Sequence, residues 1–97
     1  MNDTSSNEEW RSWSGAEAGR YEAALEAISG AMGAYSAVIA REEAKENPDG
    51  QVIEKARQGR RACIRRREDL DPADVDQVAQ VRSEFTELAQ TVRESFQ

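Results

Sequence analysis

The sequence predicts an all-α fold, a three-helix bundle with antiparallel neighbours. Apolar residues recur at spacings of three and four along two long segments, which is the repeat of one helix face. Two Asx-Pro pairs, beginning at Asn47 and Asp71, are typical of helix starts. No segment alternates with period two, so no strand is expected. The predicted helices cover residues 15–46, 48–68 and 72–95.

The first predicted helix begins at Ser14, which stands with Glu17 at the spacing of a capping box. Its apolar seam consists of Ala18, Tyr21, Leu25, Ile28, Met32, Tyr35 and Ile39. A parallel stripe of small residues, where another backbone could approach closely, consists of Ala23, Ala27, Gly30, Ala34 and Ala37. Gly30 and Gly33 each cost a helix interior about 1 kcal/mol relative to alanine, so they are the positions where this helix could bend or break.

The chain is expected to form a single helical bundle domain over residues 14–97, preceded by a flexible N-terminal arm of residues 1–13. The arm is polar and poor in apolar residues. Trp10 and Trp13 are expected to pack this arm against the bundle; if exposed, they would form a contact site. The first helix is longer than the others by about ten residues, which leaves roughly 15 Å to bend back or to contact a second copy.

The third predicted helix presents one apolar face made of Val75, Val78, Val81, Phe85, Leu88, Val92 and Phe96. Leu70 and Val75 are placed as the two halves of a hydrophobic staple at its start.

Composition excludes most catalytic and metal-binding chemistry. The 97 residues contain no histidine and one cysteine, Cys63, so His-based nucleophile triads, the usual zinc ligand sets and an internal disulfide are ruled out. The acidic run from Glu68 to Asp76 lacks the glycine and glutamate that an EF-hand loop requires at its sixth and twelfth positions. The sequence therefore predicts a protein that is not an enzyme and that uses no metal or cofactor.

The sequence also indicates a cytoplasmic location. The N-terminal residues show no basic segment followed by an apolar one, so no secretory signal is expected. No uninterrupted apolar run reaches the roughly 18–20 residues that span a bilayer, and no membrane association is predicted. The one cysteine is compatible with a reducing compartment.

A basic segment inside an acidic chain is the strongest functional signal. Seven of the 13 basic residues lie between Lys55 and Arg67, where none of the 19 acidic residues occurs. On a helical wheel, Arg57, Arg61 and Arg65 form one row opposite the face that Ala56 and Cys63 would bury. Arg60, Ile53 and Ile64 lie at one edge of that buried face.

These residues predict a small non-catalytic interaction module: an adaptor, an inhibitor, or an antitoxin-like or chaperone-like partner. It would bind an acidic protein through the row of Arg57, Arg61 and Arg65, with Arg60, Ile53 and Ile64 as neighbouring contacts. A purely structural role of these arginines stays open as an alternative. Arg65 and its neighbours lie in the last turn of the predicted helix, where cations complement the helix dipole.

Two further functions remain as alternatives. The same arginine row could bind nucleic acid, although a net charge of −6 and a pI near 4.7 oppose approach to a polyanion. The chain could instead be a purely structural homo-oligomer, in which the arginines pair with Glu22, Glu26 or other acids of a neighbouring copy.

Overall fold

The computed structural model describes the backbone of residues 2–95 and the side chains of residues 15–95. Within this part of the chain the elements are three α-helices without a strand: α1 (Asn2–Glu43), α2 (Gly50–Asp69) and α3 (Val75–Glu94). α2 runs antiparallel to α1, and α3 returns antiparallel to α2. The predicted all-α bundle is confirmed for these residues.

α1 begins much earlier than the sequence indicates. It starts at Asn2 rather than near Ser14, so the capping-box pair does not stand at a helix start. The helix also continues through Gly30 and Gly33 without a break. The side chains of Trp10 and Trp13 lie outside the described residues, as does Phe96, and the flexibility of residues 1–13 stays a prediction.

α2 begins two residues and α3 three residues after its predicted start. Each helix is capped by an aspartate that follows the proline. Asp49 accepts a hydrogen bond from the Gln51 amide at 2.9 Å, and Asp74 accepts one from the Gln77 amide at 3.0 Å. These carboxylates satisfy amide donors that a helix start leaves unpaired. The predicted caps Asn47 and Asp71 are therefore wrong. So is the staple, since Leu70 is buried while Val75 is 46% exposed.

The core forms where α1 packs against both other helices. The buried α1 positions are mainly small or branched: Ala24, Ile28, Ala31, Ala34, Val38 and Ile39. Much of the predicted seam, including Leu25 and Met32, is only partly buried at the edge of this core. The buried face is thus rotated toward the alanines, because α1 supports two helices rather than one. Short side chains let α3 lie close to the α1 backbone.

α3 supplies the larger share of the apolar surface that faces α1. Its buried residues are Val78, Val81, Phe85, Ala89 and Val92, whereas α2 buries only Ala56 and Cys63. Because burial of apolar side chains is the main source of stability, α2 is the more weakly held helix.

Close packing of α2 depends on Gly59. A Cβ atom built at this position would collide with the ring of Tyr35, which lies directly over the glycine. The absent side chain lets the aromatic ring fill the space between α1 and α2. Only the fold reveals that this ring lies against Gly59.

Glu42 fixes the turn between α1 and α2. Its carboxylate accepts hydrogen bonds from the Asp49 amide at 3.0 Å and from Lys45 Nζ at 2.9 Å, and its side chain is only 6% exposed. The Asp49 amide, and then Lys45, lower the pKa of Glu42, because both stabilise the ionised carboxylate. The ionised Glu42 side chain therefore stabilises the turn between α1 and α2.

Candidate interaction surface

The predicted arginine row lies on the outer side of α2. Arg57, Arg61 and Arg65 are all exposed, as the helical wheel indicates. The side chains of Arg57 and Arg61 are 45% and 52% exposed. At 1.5 Å per residue, the row extends over roughly 12 Å of the helix axis.

Two members of the row have acidic neighbours within the same molecule. Arg61 pairs with Glu54 at 3.0 Å, and Arg57 lies 3.9 Å from the Glu43 carboxylate. Both pairs are about half exposed, so each contributes only about 0–1 kcal/mol to stability. Arg65 makes no ion pair among the described side chains. These contacts are weak, and they leave the guanidinium groups of Arg57 and Arg61 accessible to water.

The neighbouring residues of the prediction lie at the edge of α2 that faces α1. Arg60 donates a hydrogen bond to Ser36 Oγ at 3.0 Å, so it helps to hold α2 against α1. Ile53 is half-buried and packs against the core, while Ile64 is half-buried and packs against neither apolar cluster. Ile64 is therefore a better contact candidate than Ile53.

The opposite edge of α2 faces α3 through a polar bridge. Arg66 pairs with Glu84 at 2.6 Å, and its guanidinium group lies 5.1 Å from the centre of the Phe85 ring. This is the ion pair that joins α2 to α3 among the described residues. Arg66, although part of the basic segment, thus has a structural role.

A shallow groove of about 610 Å³ separates the other half of α2 from α3. Its floor is Tyr35 and Val38, and its walls include Val52 on one side and Leu88 on the other. The lining is largely apolar, and no set of acid, base and nucleophile converges in it.

Cys63 is buried at 1% exposure and packs in the core. Burial raises the pKa of its thiol by disfavouring the thiolate, despite the nearby Arg66. A thiol in this environment is a poor nucleophile. No group of three or more acidic or cysteine side chains that could hold a metal ion occurs in the described part of the chain.

The high mean hydropathy of α1 is a feature that sequence reasoning missed. An 18-residue window within Gly15–Glu43 reaches a mean hydropathy of 1.4, and 33% of it is buried. By length and composition this helix could cross a membrane, a test that core helices of soluble proteins also pass. The expectation of no membrane association stays a prediction. It rested on uninterrupted apolar runs, and glycine and serine interrupt a run at little cost in mean hydropathy.

Comparison with protein-family models, curated proteins and solved structures finds no match for this chain.

Proposed function

We propose that the chain is a small non-catalytic interaction module that binds an acidic protein partner through α2. The observation that carries this proposal is the exposed row of Arg57, Arg61 and Arg65 on one side of a helix whose other side is packed. Planar guanidinium groups suit paired hydrogen bonds to carboxylates and are enriched at interface hot spots. A cytoplasmic location belongs to the same proposal.

The partner would replace the weak intramolecular neighbours of the row. Exchange of the loose contact between Arg57 and Glu43 for a partner carboxylate costs little, because that contact is 3.9 Å long and half exposed. Ile64 would add a half-buried aliphatic contact beside the row. Arg60, held by Ser36, would act from the rim.

Charge reversal of the row tests the proposal. The variant Arg57→Glu, Arg61→Glu, Arg65→Glu is expected to lose at least about tenfold in partner affinity, since like charges across an interface cost several kcal/mol. Its helicity should change little, because the three side chains are exposed. Partners are captured from native lysate and identified by mass spectrometry, and affinity is then measured with the purified partner.

A matched variant controls for net charge. Arg20→Glu, Arg82→Glu, Arg93→Glu makes the same charge change at exposed positions outside α2 and should bind like the wild type. Loss of binding in both variants would indicate a nonspecific charge effect. Unfolding of the first variant would mean that the row is intramolecular, and the surface assignment would be wrong.

Nucleic acid remains the second candidate for the same row. Binding to phosphates would fall steeply with salt and would not depend on sequence, since each contact releases condensed counterions. A salt titration with duplex DNA distinguishes this candidate from a protein partner.

A further inference from the structure

α2 and α3 both pack on α1 but not on each other. Among the described residues, no Cα atom of α2 lies within 8 Å of a Cα atom of α3. Directly packed helices come closer than this, since their axes lie about 8–10 Å apart. The groove between α2 and α3 is therefore open, with α1 as its floor. Its volume of about 610 Å³ lies within the roughly 300–1,000 Å³ of small-molecule sites.

The two walls of the groove are rows of residues at the same helical spacing. Both rows line the groove or its narrower continuation of about 380 Å³. The α2 row is Lys55, Gly59, Ala62 and Arg66, and the α3 row is Glu84, Leu88, Thr91 and Ser95. The helices are antiparallel, so the rows run in opposite directions. Arg66 consequently stands beside Glu84 at one end, and Lys55 stands on the same side as Ser95 at the other.

The charges of the two rows match at one end only. Arg66 and Glu84 pair at 2.6 Å and close the narrow end of the groove. At the wide end Lys55 is exposed and makes no hydrogen bond or ion pair with the described residues. Its counterpart Ser95 is uncharged, and the Ser95 hydroxyl donates to the Thr91 carbonyl at 2.8 Å. The wide end thus holds a cation without a counter-charge, whereas Glu87 and Glu84 line the narrow end.

The surface beside Lys55 is apolar and contains one more hydrogen-bond donor. Val38, Val52 and Leu88 line the groove there. The Tyr35 ring also lines it, with Cζ as the ring atom closest to a Cβ built at Gly59. The hydroxyl on that Cζ makes no hydrogen bond with the described residues. Burial, and then the neighbouring Cys63, raise the pKa of Tyr35, so its hydroxyl stays protonated and able to donate.

We propose that this groove binds a small amphiphilic carboxylate of the fatty-acid type. The carboxylate lies on Lys55, and the hydrocarbon chain lies on Val38, Val52 and Leu88. Charge sets the direction, because the glutamates at the narrow end repel a carboxylate and Lys55 attracts one. The site lies on a different side of α2 from the arginine row, so it does not depend on the proposed protein partner.

A helix of a partner protein fits this groove less well than a single hydrocarbon chain. The pair between Arg66 and Glu84 bridges the two walls and interrupts the groove. From Val52 to Gly59 the open part extends over roughly 10 Å of the α2 axis, whereas a helix of three turns needs roughly 16 Å. A small ligand needs only the open part.

Titration with octanoate, followed by NMR of the valine and leucine methyl groups, tests the proposal. Octanoate should saturate and shift the signals of Val38, Val52 and Leu88. Decanoate should bind about tenfold more tightly, since each buried methylene adds a favourable transfer term. Lys55→Glu should weaken octanoate by at least about fivefold and leave 1-octanol nearly unchanged, because only octanoate carries the charge that Lys55 attracts.

Two further variants control for charge and shape. Arg82→Glu makes the same charge change at an exposed position of α3 outside the groove and should bind octanoate like the wild type. Thr91→Phe places a ring in the groove from an exposed position, so it should block octanoate and 1-octanol alike. Far-UV circular dichroism checks that each variant keeps its helices.

Several outcomes would overturn the carboxylate site. They include octanoate that does not saturate, shifts confined to residues outside the groove, and Lys55→Glu that binds octanoate like the wild type. Octanoate binding that appears only in Phe96→Ala would assign the groove to the chain's own Phe96. Loss of the protein partner in Thr91→Phe, without octanoate binding by the wild type, would assign it to that partner. None of the octanoate measurements alters the arginine row, so the proposed interaction function can hold or fail separately.

Discussion

Gly59 lies where α2 meets the ring of Tyr35, and its lack of a side chain sets how closely the two helices pack. Gly33 is also helical, but the space beside it is open. The two glycines therefore separate the intrinsic cost of glycine in a helix from its packing benefit.

Alanine at these two positions should have opposite effects on stability. Gly59→Ala is expected to lower the free energy of unfolding by about 1–3 kcal/mol, because the new methyl group displaces the Tyr35 ring. Gly33→Ala should raise it by about 0.5–1 kcal/mol through helix propensity. Urea denaturation of dilute, monomeric protein measures both. A stabilised Gly59→Ala would show that the ring moves aside without cost.

Glu42 gives the fold a dependence on acid. Its pKa is lowered in the folded state, so its contribution to stability is present above the pKa of the unfolded chain and is lost as pH falls through the folded value. Glu42→Gln should therefore be less stable than the wild type at neutral pH, and the difference should shrink on acidification. Thermal unfolding at several pH values measures this, and a difference that does not vary with pH would contradict it.

At the scale of elements, α2 differs from its neighbours in how little it buries. It carries the functional candidates on its outer side and only two buried residues on its inner side, against five for α3. Specific contacts supplement that small apolar face, among them the Tyr35 ring on Gly59, the Arg60 bond to Ser36 and the Arg66 pair with Glu84.

Hydrogen exchange should reflect this difference. The amides of α2 are expected to exchange faster than those of α3 and of the centre of α1, because local opening of α2 exposes less apolar surface. Exchange followed by mass spectrometry measures each helix. Cys63 provides a second readout, since its buried thiol should react with a thiol reagent only when α2 opens. Equal protection of α2 and α3 would contradict the expectation.

The ends of the helices were harder to predict than their existence. The Asx-Pro pairs did indicate two starts, but in each case the next aspartate along the chain became the cap. In the second pair, Asp71 instead accepts a hydrogen bond from the Ala73 amide at 3.0 Å and closes a turn before the helix. Asp71 and Asp74 both suit a helix cap, and sequence spacing alone does not decide which of them caps α3.

At the scale of the molecule, charge is divided among surfaces. Seven of the 13 basic residues lie on α2, whereas most of the exposed acids lie outside it, so the net charge of −6 describes no single face. The arginine row and the uncharged residues 27–40 of α1 are consequently different in chemistry. We propose an acidic partner for the first.

The sequence by itself determined the number and order of the helices in the described chain, the exposure of the arginine row and the lack of His-based chemistry. These follow from local periodicity and residue type, which need no knowledge of neighbours. Only the tertiary structure decided which side of α1 is buried, where Gly59 meets Tyr35 and which side of α1 stays open. Those features depend on how α2 and α3 divide the surface of one helix between them, a choice made by packing rather than by spacing along the chain.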